Sequence, residues 1–309
     1  MKYLITGGAG FIGSNIAREL VRRGEKIKIL DNLSTGSLKN LKGILDKVKF
    51  IKGDIRDFGL TKKEFKGVDF VLHQAAFRAV PRSIEDPVGV NSNNIEGTLK
   101  VLVAARDSGV KRVVYASSSS VYGDVGNKKN KETMTPNPKS PYALSKLAGE
   151  YYCRIFSEIW GLETVSLRYF NVFGPYQNPN SKYAAVIPLF INAIARNKQP
   201  IVFGDGNQSR DFCPVANVVS ANLLACKLKK AKGEVYNIAN GENHSLNKLL
   251  AILNNFFSKN IKPIYQSPRS GDVYKSFADI NLAKNNLGYK PIHDFKKGLE
   301  IAIQWFKNN

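Results

Sequence analysis

Cysteine and histidine are scarce here, three of each in 309 residues. Cys153, Cys213 and Cys226 are odd in number and form no Cys-x-x-Cys pair, which argues against a disulfide framework and against a zinc cluster. No metal site is expected, and reduced thiols fit a cytoplasmic protein. Acidic residues are in deficit, 25 against 46 Lys and Arg, for a formal net charge of +21. The lysines are scattered from Lys2 to Lys307, and runs such as Lys128-Lys129 and Lys229-Lys230 are short and lack interleaved aromatics. The excess therefore reads as a solvated surface, not as a nucleic-acid or membrane face. Such a field also favours capture of an anionic small molecule. Long hydrophobic runs are missing as well. The most apolar stretch, 184–195, contains Pro188 and Asn192 and is too short to cross a bilayer. Met1 leads straight into an apolar strand and a glycine-rich loop, which leaves no room for an export signal. There is no repeat of 20 to 50 residues and no low-complexity tract.

What is present is an alternation. Lys2 to Thr6 reads as a strand, and Ile12, Ile16 and Leu20 mark one face of a helix that should stop at Gly24. Further strands are expected at Lys26 to Leu30, Val48 to Ile51, Val68 to Leu72, Arg112 to Ala116 and Thr164 to Tyr169. Long helices are expected from Val88 to Asp107 and from Pro141 to Trp160, with Gly109 and Gly161 as stops. This rhythm predicts an α/β fold, a Rossmann-type doubly wound parallel sheet with right-handed crossovers. After about residue 171 the rhythm breaks at loop signals such as Gly174-Pro175 and Gly204-Asp205-Gly206. Helices remain expected near 216–229, 245–258, 280–287 and 295–307. The chain is thus divided into residues 1–171 and a smaller mixed α/β C-terminal domain, 172–309. The two should interdigitate, since no linker tract separates them.

Gly7, Gly10 and Gly13 form a Gly-x-x-Gly-x-x-Gly turn between the first strand and its helix. Glycines allow the backbone to approach a pyrophosphate, and the helix N-terminus offers unpaired N–H groups and partial positive charge. Phe11 and Ile12 would meet the phosphates through their backbone. Asp31 ends the second strand, where a carboxylate takes both ribose hydroxyls of adenosine and repels a 2′-phosphate, which favours NAD over NADP. Asp54, ending the third strand, is a neighbour for the adenine amino group. Among thirteen tyrosines only Tyr142 has a lysine four residues on, Lys146. The pair shares a helix face directly after the strand that carries Ser117 to Ser120, where ligands of an open parallel sheet collect. A nearby ammonium and a positive nicotinamide would pull the Tyr142 phenol below its ordinary pKa of about 10, making it a base for a hydroxyl proton. Lys146 should also fix the nicotinamide ribose. His73 reads as a packed strand-end residue.

TGGAGFIG (6–13), Tyr142-x-x-x-Lys146, SSSSVYGD (117–124) and LRYFNVFGP (167–175) together resemble the extended short-chain dehydrogenase/reductase family. The resemblance covers essentially the whole chain and is strongest to UDP-hexose 4-epimerases. VPRSIEDP (80–87) and NPNSKYAAVIP (178–188) are similar to the UDP-N-acetylglucosamine branch. The resemblance implies an NAD-binding first domain, a UDP-sugar-binding second domain and a homodimer built on helices near 88–107 and 142–160. It implies that Ser118 is a third catalytic residue, bonding the 4-hydroxyl. It places Asn32, Ser34, Thr35, Gly36, Ile55, Gln74, Ala75, Ala76, Arg78, Asn93, Ser117, Tyr169 and Phe170 against NAD, with Arg78 near its phosphates. It places Asn171 at the substrate diphosphate and Val186, Ile187, Ile201, Val202, Phe203, Arg210, Arg269 and Asp272 at the UDP half. Arginine suits that place, since guanidinium pairs bidentately with phosphate. Ser276 falls where restricted epimerases carry a bulky residue, so a small side chain there leaves space for an N-acetyl group. The expected activity is inversion at carbon 4 of a UDP-hexose through a 4-keto sugar, with UDP-N-acetylglucosamine/UDP-N-acetylgalactosamine favoured and UDP-glucose/UDP-galactose alongside.

Two rivals remain. Sugar-nucleotide 4,6-dehydratases and UDP-glucuronate decarboxylases of this family carry acids just before Val-Tyr-Gly, where this chain has Ser119 and Ser120. A non-enzymatic NAD-binding protein would have no need of both Tyr142 and Lys146.

Overall fold

The computed structural model describes residues 1–78, 80–179, 184–268 and 273–308. The first half runs β1 (Lys2–Thr6), α1 (Phe11–Arg22), β2 (Lys26–Asp31), β3 (Lys49–Lys52), α2 (Phe58–Phe65), β4 (Phe70–His73), α3 (Val80–Glu85), α4 (Pro87–Asn91), α5 (Gly97–Asp107), β5 (Arg112–Ser118), α6 (Pro141–Trp160) and β6 (Glu163–Tyr169). The second half runs β7 (Val172–Phe173), α7 (Val186–Ala195), β8 (Ile201–Phe203), β9 (Ser209–Arg210), β10 (Cys213–Pro214), α8 (Val215–Lys227), β11 (Glu234–Ile238), β12 (His244–Ser245), α9 (Leu246–Phe257), β13 (Ile264–Gln266), β14 (Lys275–Ser276) and α10 (Phe295–Lys307).

Seven strands form one parallel sheet in the order β11-β6-β5-β4-β1-β2-β3. The chain leaves β1 toward β2 and β3, then returns to β4 on the other side. That reversal opens a crevice at the carboxyl ends of β1 and β4. Strand alternation sends Leu4 and Ile5 to opposite faces, and both are fully buried. On one face Ile5 and Ile29 meet Ile16 and Leu20 of α1 and Val218 of α8. On the other Leu4, Val71 and Val113 meet Phe65, Val101, Ala105 and Phe156. A third cluster builds the smaller layer from Ile187, Phe190, Ile191 and Ile194 of α7, Leu249 and Leu253 of α9, and Leu299 of α10. Cys153, Cys213 and Cys226 are separate buried thiols. The β3 edge carries exposed Lys49 and Lys52, charges that oppose edge-to-edge pairing. Among the described residues no helix is long and apolar enough to cross a membrane.

Several elements depart from the sequence expectation. α2 and β11 were not anticipated, and β11 extends the first sheet with a segment from beyond residue 171. The long helix expected from Val88 is divided by a π-helical turn at Ser92–Glu96, which lets the adjacent Asn93 and Asn94 both be buried. The helix expected near 280–287 contains a second π turn, Ala283–Leu287.

β11 is tied in through Asn237, which is fully buried. Its amide accepts from the Tyr122 hydroxyl at 2.7 Å and donates to the carbonyls of Asn130 at 3.0 Å and Asp279 at 3.1 Å. Replacing Asn237 by Leu takes the amide acceptor from the buried Tyr122 hydroxyl and the amide donor from the Asp279 carbonyl, while the Asn130 carbonyl keeps the Asp279 N–H at 2.9 Å. We expect about 3 kcal/mol of lost stability, measured by urea unfolding, with no change in the far-UV spectrum.

Candidate active site

The turn after β1 is shaped by lack of room. Gly7 lies at φ +68°, and a Cβ there would stand 2.7 Å from the Ala75 nitrogen. A Cβ on Gly13 would stand 2.7 Å from Gly8 Cα. Gly10 is the N-cap of α1 and has no side chain to occupy the first-turn N–H groups. Asp31, at the end of β2, is pinned by the amides of Ala9 at 2.9 Å and Leu33 at 2.8 Å. Burial raises its carboxyl above the ordinary range, while the two N–H bonds pull the other way. These features fit a dinucleotide: a glycine cradle and a bare helix N-terminus for phosphates, and an oriented carboxylate for ribose hydroxyls.

A cavity of about 680 Å³ begins at this turn and runs along the carboxyl ends of the strands. It brings together Gly7, Gly10, Phe11, Ile12, Gly13, Asp31, Asn32, Ser34, Thr35 and Ile55 on one side of the switch point. On the other side it gathers Gln74, Ala75, Ala76, Arg78, Asn93, Ser117, Ser118, Tyr142, Lys146 and Tyr169. Asn171, Arg210 and Ser276 complete its far end. Thus a residue of the C-terminal β14 lines the same space as the glycine turn.

Other expected residues are placed elsewhere. Asp54 does not line the cavity. Its carboxylate is taken by the Arg56 guanidinium at 2.8 Å and the Asn32 amide at 2.9 Å, and Arg56 holds it well below the usual range. Phe170 is buried against the Tyr122 ring, 6.2 Å between centroids. Gly36 closes on Asp31, where a Cβ would lie 3.0 Å from both carboxylate oxygens. Ile187 and Val202 belong to the smaller layer's core, Val186 packs against it, and Ile201 is exposed. Phe203 borders a separate shallow hollow with Tyr265, Gln266 and Ser267. Arg269 and Asp272 lie outside the described residues.

The catalytic candidates sit where α6 crosses the end of β5. Ser140 caps the helix, accepting from the Ala143 amide at 3.1 Å, and Pro141 opens it. One turn in, Lys146 is 3 % exposed and donates from Nζ to the Ala116 carbonyl at 2.7 Å. Burial pulls its ammonium down to about 7, and the charge of Glu150 opposes that shift. Lys146 Nζ lies 6.0 Å from the Tyr142 ring centroid. Burial raises Tyr142, and a hydrogen bond from Ser118 and the charge of Arg78 lower it. In this arrangement the Lys146 ammonium bonds a backbone carbonyl, and the charge of Arg78 adds to the effect of Ser118 on the phenol. Ser118 Oγ also accepts from the Ser120 hydroxyl at 2.9 Å. His73 bridges Thr6 at 2.7 Å and Thr98 at 3.0 Å, and burial pushes its imidazole down to about 3, a neutral packed residue.

Sequence reasoning missed part of the wall. Tyr176, Gln177 and Asn178 line the cavity from the loop after β7, and Val80, Pro81 and Ile84 line it from α3. The sequence signals for the first group were the Gly174-Pro175 turn and the motif that opens at Asn178.

A doubly wound sheet with a glycine turn, an acid after β2 and a Tyr–Lys pair at the carboxyl edge defines a Rossmann-type enzyme of the NAD-dependent class. The NAD dependent epimerase/dehydratase family matches residues 3–239, and the chain belongs to that family, with NAD as its cofactor. A relative from Methanocaldococcus jannaschii, described as a putative UDP-glucose 4-epimerase, is 42% identical over 308 residues, 99% of this chain and 98% of that protein. The solved UDP-N-acetylglucosamine 4-epimerase of Methanobrevibacter ruminantium M1, in complex with UDP-N-acetylmuramic acid, is 40% identical with a TM-score of 0.95, covering 99% of this chain and 98% of that one. The UDP-glucose 4-epimerase of Thermus thermophilus, in complex with NAD, is 34% identical with a TM-score of 0.90, covering 99% of each.

Gly13 offers a direct check on the cradle. Gly13→Ala forces a Cβ against the backbone of Gly7 and Gly8, which no side-chain movement relieves. NADH affinity, read by fluorescence titration, should fall at least about tenfold, roughly 1.4 kcal/mol.

Proposed function

We propose that this protein interconverts the C4 epimers of a UDP-hexose, and that it accepts N-acetylated sugars. The observation that carries the reading is the single cavity in which Tyr142, Ser118 and Lys146 share space with the glycine turn, Arg210 and Ser276. The nicotinamide, when bound, supplies the hydride acceptor and donor for carbon 4. Tyr142 Oη takes the 4-hydroxyl proton and later returns it. Ser118 Oγ holds the phenol and the hydroxyl in line, and Lys146 holds the nicotinamide ribose. Asn171 and Arg210 anchor the diphosphate, so the 4-keto sugar turns about its phosphate linkage and presents its other face to the same phenol. Ser276, small and on the cavity wall, leaves room at carbon 2.

Elimination is the weaker reading. A dehydratase needs an acid to protonate the leaving hydroxyl, and the positions next to Ser118 on the cavity wall are Ser119 and Ser120. A homodimer accords with the outward face of α6, where Leu144 is 53 %, Tyr151 44 % and Ile159 66 % exposed, next to Val88 at 78 %. Light scattering should give twice the chain mass, and Leu144→Glu should halve it.

Incubation with UDP-N-acetylglucosamine, UDP-N-acetylgalactosamine, UDP-glucose and UDP-galactose, each without added cofactor, tests the activity. Epimers should form in the acetylated pair, and their absence from all four mixtures would sink the reading. Tyr142→Phe should lower kcat by about 10²- to 10⁴-fold. Ser276→Tyr should abolish turnover of the acetylated pair while leaving the unacetylated pair within a few-fold of the parent.

A further inference from the structure

Three consecutive residues at the end of β5 meet three residues one turn apart on α6, two of them through hydrogen bonds. The Ala116 carbonyl accepts from Lys146. The Ser117 hydroxyl donates to Glu150 Oε1. Ser118 shares the cavity wall with Tyr142 and lowers its phenol. Positions 142, 146 and 150 lie on one helix face. Two of these contacts belong to the proposed chemistry, and Glu150 has so far had no part in it. Its side chain is 3 % exposed, and such a carboxylate needs compensation. Arg168 on β6 provides it with two bonds, Nε to Oε1 at 2.9 Å and Nη2 to Oε2 at 2.7 Å. The guanidinium is fixed in turn over the Tyr122 ring, 4.6 Å from its centroid.

We propose that Glu150 is a positioning residue: clamped by Arg168 and gripping Ser117, it fixes the register of α6 on β5 in which Ser118 meets Tyr142 and Ala116 meets Lys146. Ser117 lies directly between those two partners, so any shift of its side chain carries both. Stability alone is a poor reason for the pair, since a buried ion pair contributes little against an apolar replacement. A bidentate guanidinium–carboxylate pair does fix distance and angle. Glu150 has a second effect, because its charge supports the Lys146 ammonium against burial. Lys146 is faced by Tyr142, Glu150 and Cys153 of α6, Tyr115 of β5 at 5.0 Å, and neutral His73 of β4. Arg168 of β6 stands on Glu150 as its counter-charge.

The inference rests on the epimerase reading, and the parent enzyme is the control that separates the two. Two variants are compared with it: Glu150→Gln, and the double change Glu150→Leu with Arg168→Met, which leaves no charge alone and so keeps the fold. Each is read by thermal melting, kcat and KM over a pH series, and NADH titration. In the folded double variant kcat should fall about 100-fold with KM for the UDP-sugar little changed, the effect of a small misplacement of reacting groups. In Glu150→Gln the alkaline limb of kcat should move to lower pH, because the ammonium loses its supporting charge and Arg168 is left unopposed. A cooperatively melting double variant with parental kcat and parental NADH affinity overturns the proposal, as does a Glu150→Gln loss that is uniform in pH. Should the parent turn over no UDP-sugar, the epimerase reading fails. NADH affinity then decides alone: about tenfold weaker in the double variant supports the positioning role, and equal affinity ends it.

Discussion

Gly149, in the middle of α6, lets that helix lie directly on the Tyr115 ring of β5. A Cβ there would stand 2.7 Å from Tyr115 Cε1. A glycine inside a helix costs about 1 kcal/mol relative to alanine, and here the cost is offset by the approach it allows. Only because α6 is so close does the lysine stem reach a carbonyl of the strand beneath it, and only then do Ser117 and Ser118 meet Glu150 and Tyr142. The cofactor turn depends on the same kind of contact at Gly7 and Gly13. Both halves of the chemistry thus rest on backbones brought closer than any side chain permits.

That closeness has an electrostatic consequence. Lys146 is shut away from water and its ammonium is held near 7, while Asp31 is raised by the same cause. Charged groups under such conditions interact more strongly than they would in water. They also destabilise the chain that carries them. The folded state holds Lys146 well below its ordinary pKa of 10.5, so below that value the unfolded chain binds the proton more tightly. Its burden on stability is therefore greatest at low pH and fades as pH rises toward 10.5.

Much of this was legible along the chain, and the reason is local periodicity. The glycine turn, Asp31 and the Tyr142–Lys146 pair each lie within one strand–turn–helix unit, where spacing alone fixes which groups share a face. What was not legible is what the tertiary fold decides. β11 is five residues long and carries no pattern that says it will pair with β6. Arg78, which resemblance gives to the phosphates, also acts by its charge on Tyr142, a pairing that no spacing announces. Asp54 lies two residues past the end of β3, and its carboxylate is bonded by Arg56 two residues further on. Ile187 and Val202 were assigned to the ligand, whereas the smaller layer needed them as core.

The loop after β7 shows why the far wall escaped notice. Gly174 and Tyr176 both lie at positive φ, 147° and 68°. For a tyrosine that conformation costs on the order of 1–3 kcal/mol and persists only when the surroundings determine it. Here they do: the Arg18 guanidinium of α1 stacks 4.3 Å from the Tyr176 ring centroid, and Trp305 of α10 lies 5.2 Å away on ring centroids. Asn15 of α1 donates to the Pro175 carbonyl at 3.0 Å. The helix that presents the glycine turn and the last helix of the chain therefore grip one strained loop, and that loop lines the same cavity as Ser276. The cavity thus has a wall whose shape comes from contacts between residues 15, 18, 176 and 305. No window of sequence spans those four positions.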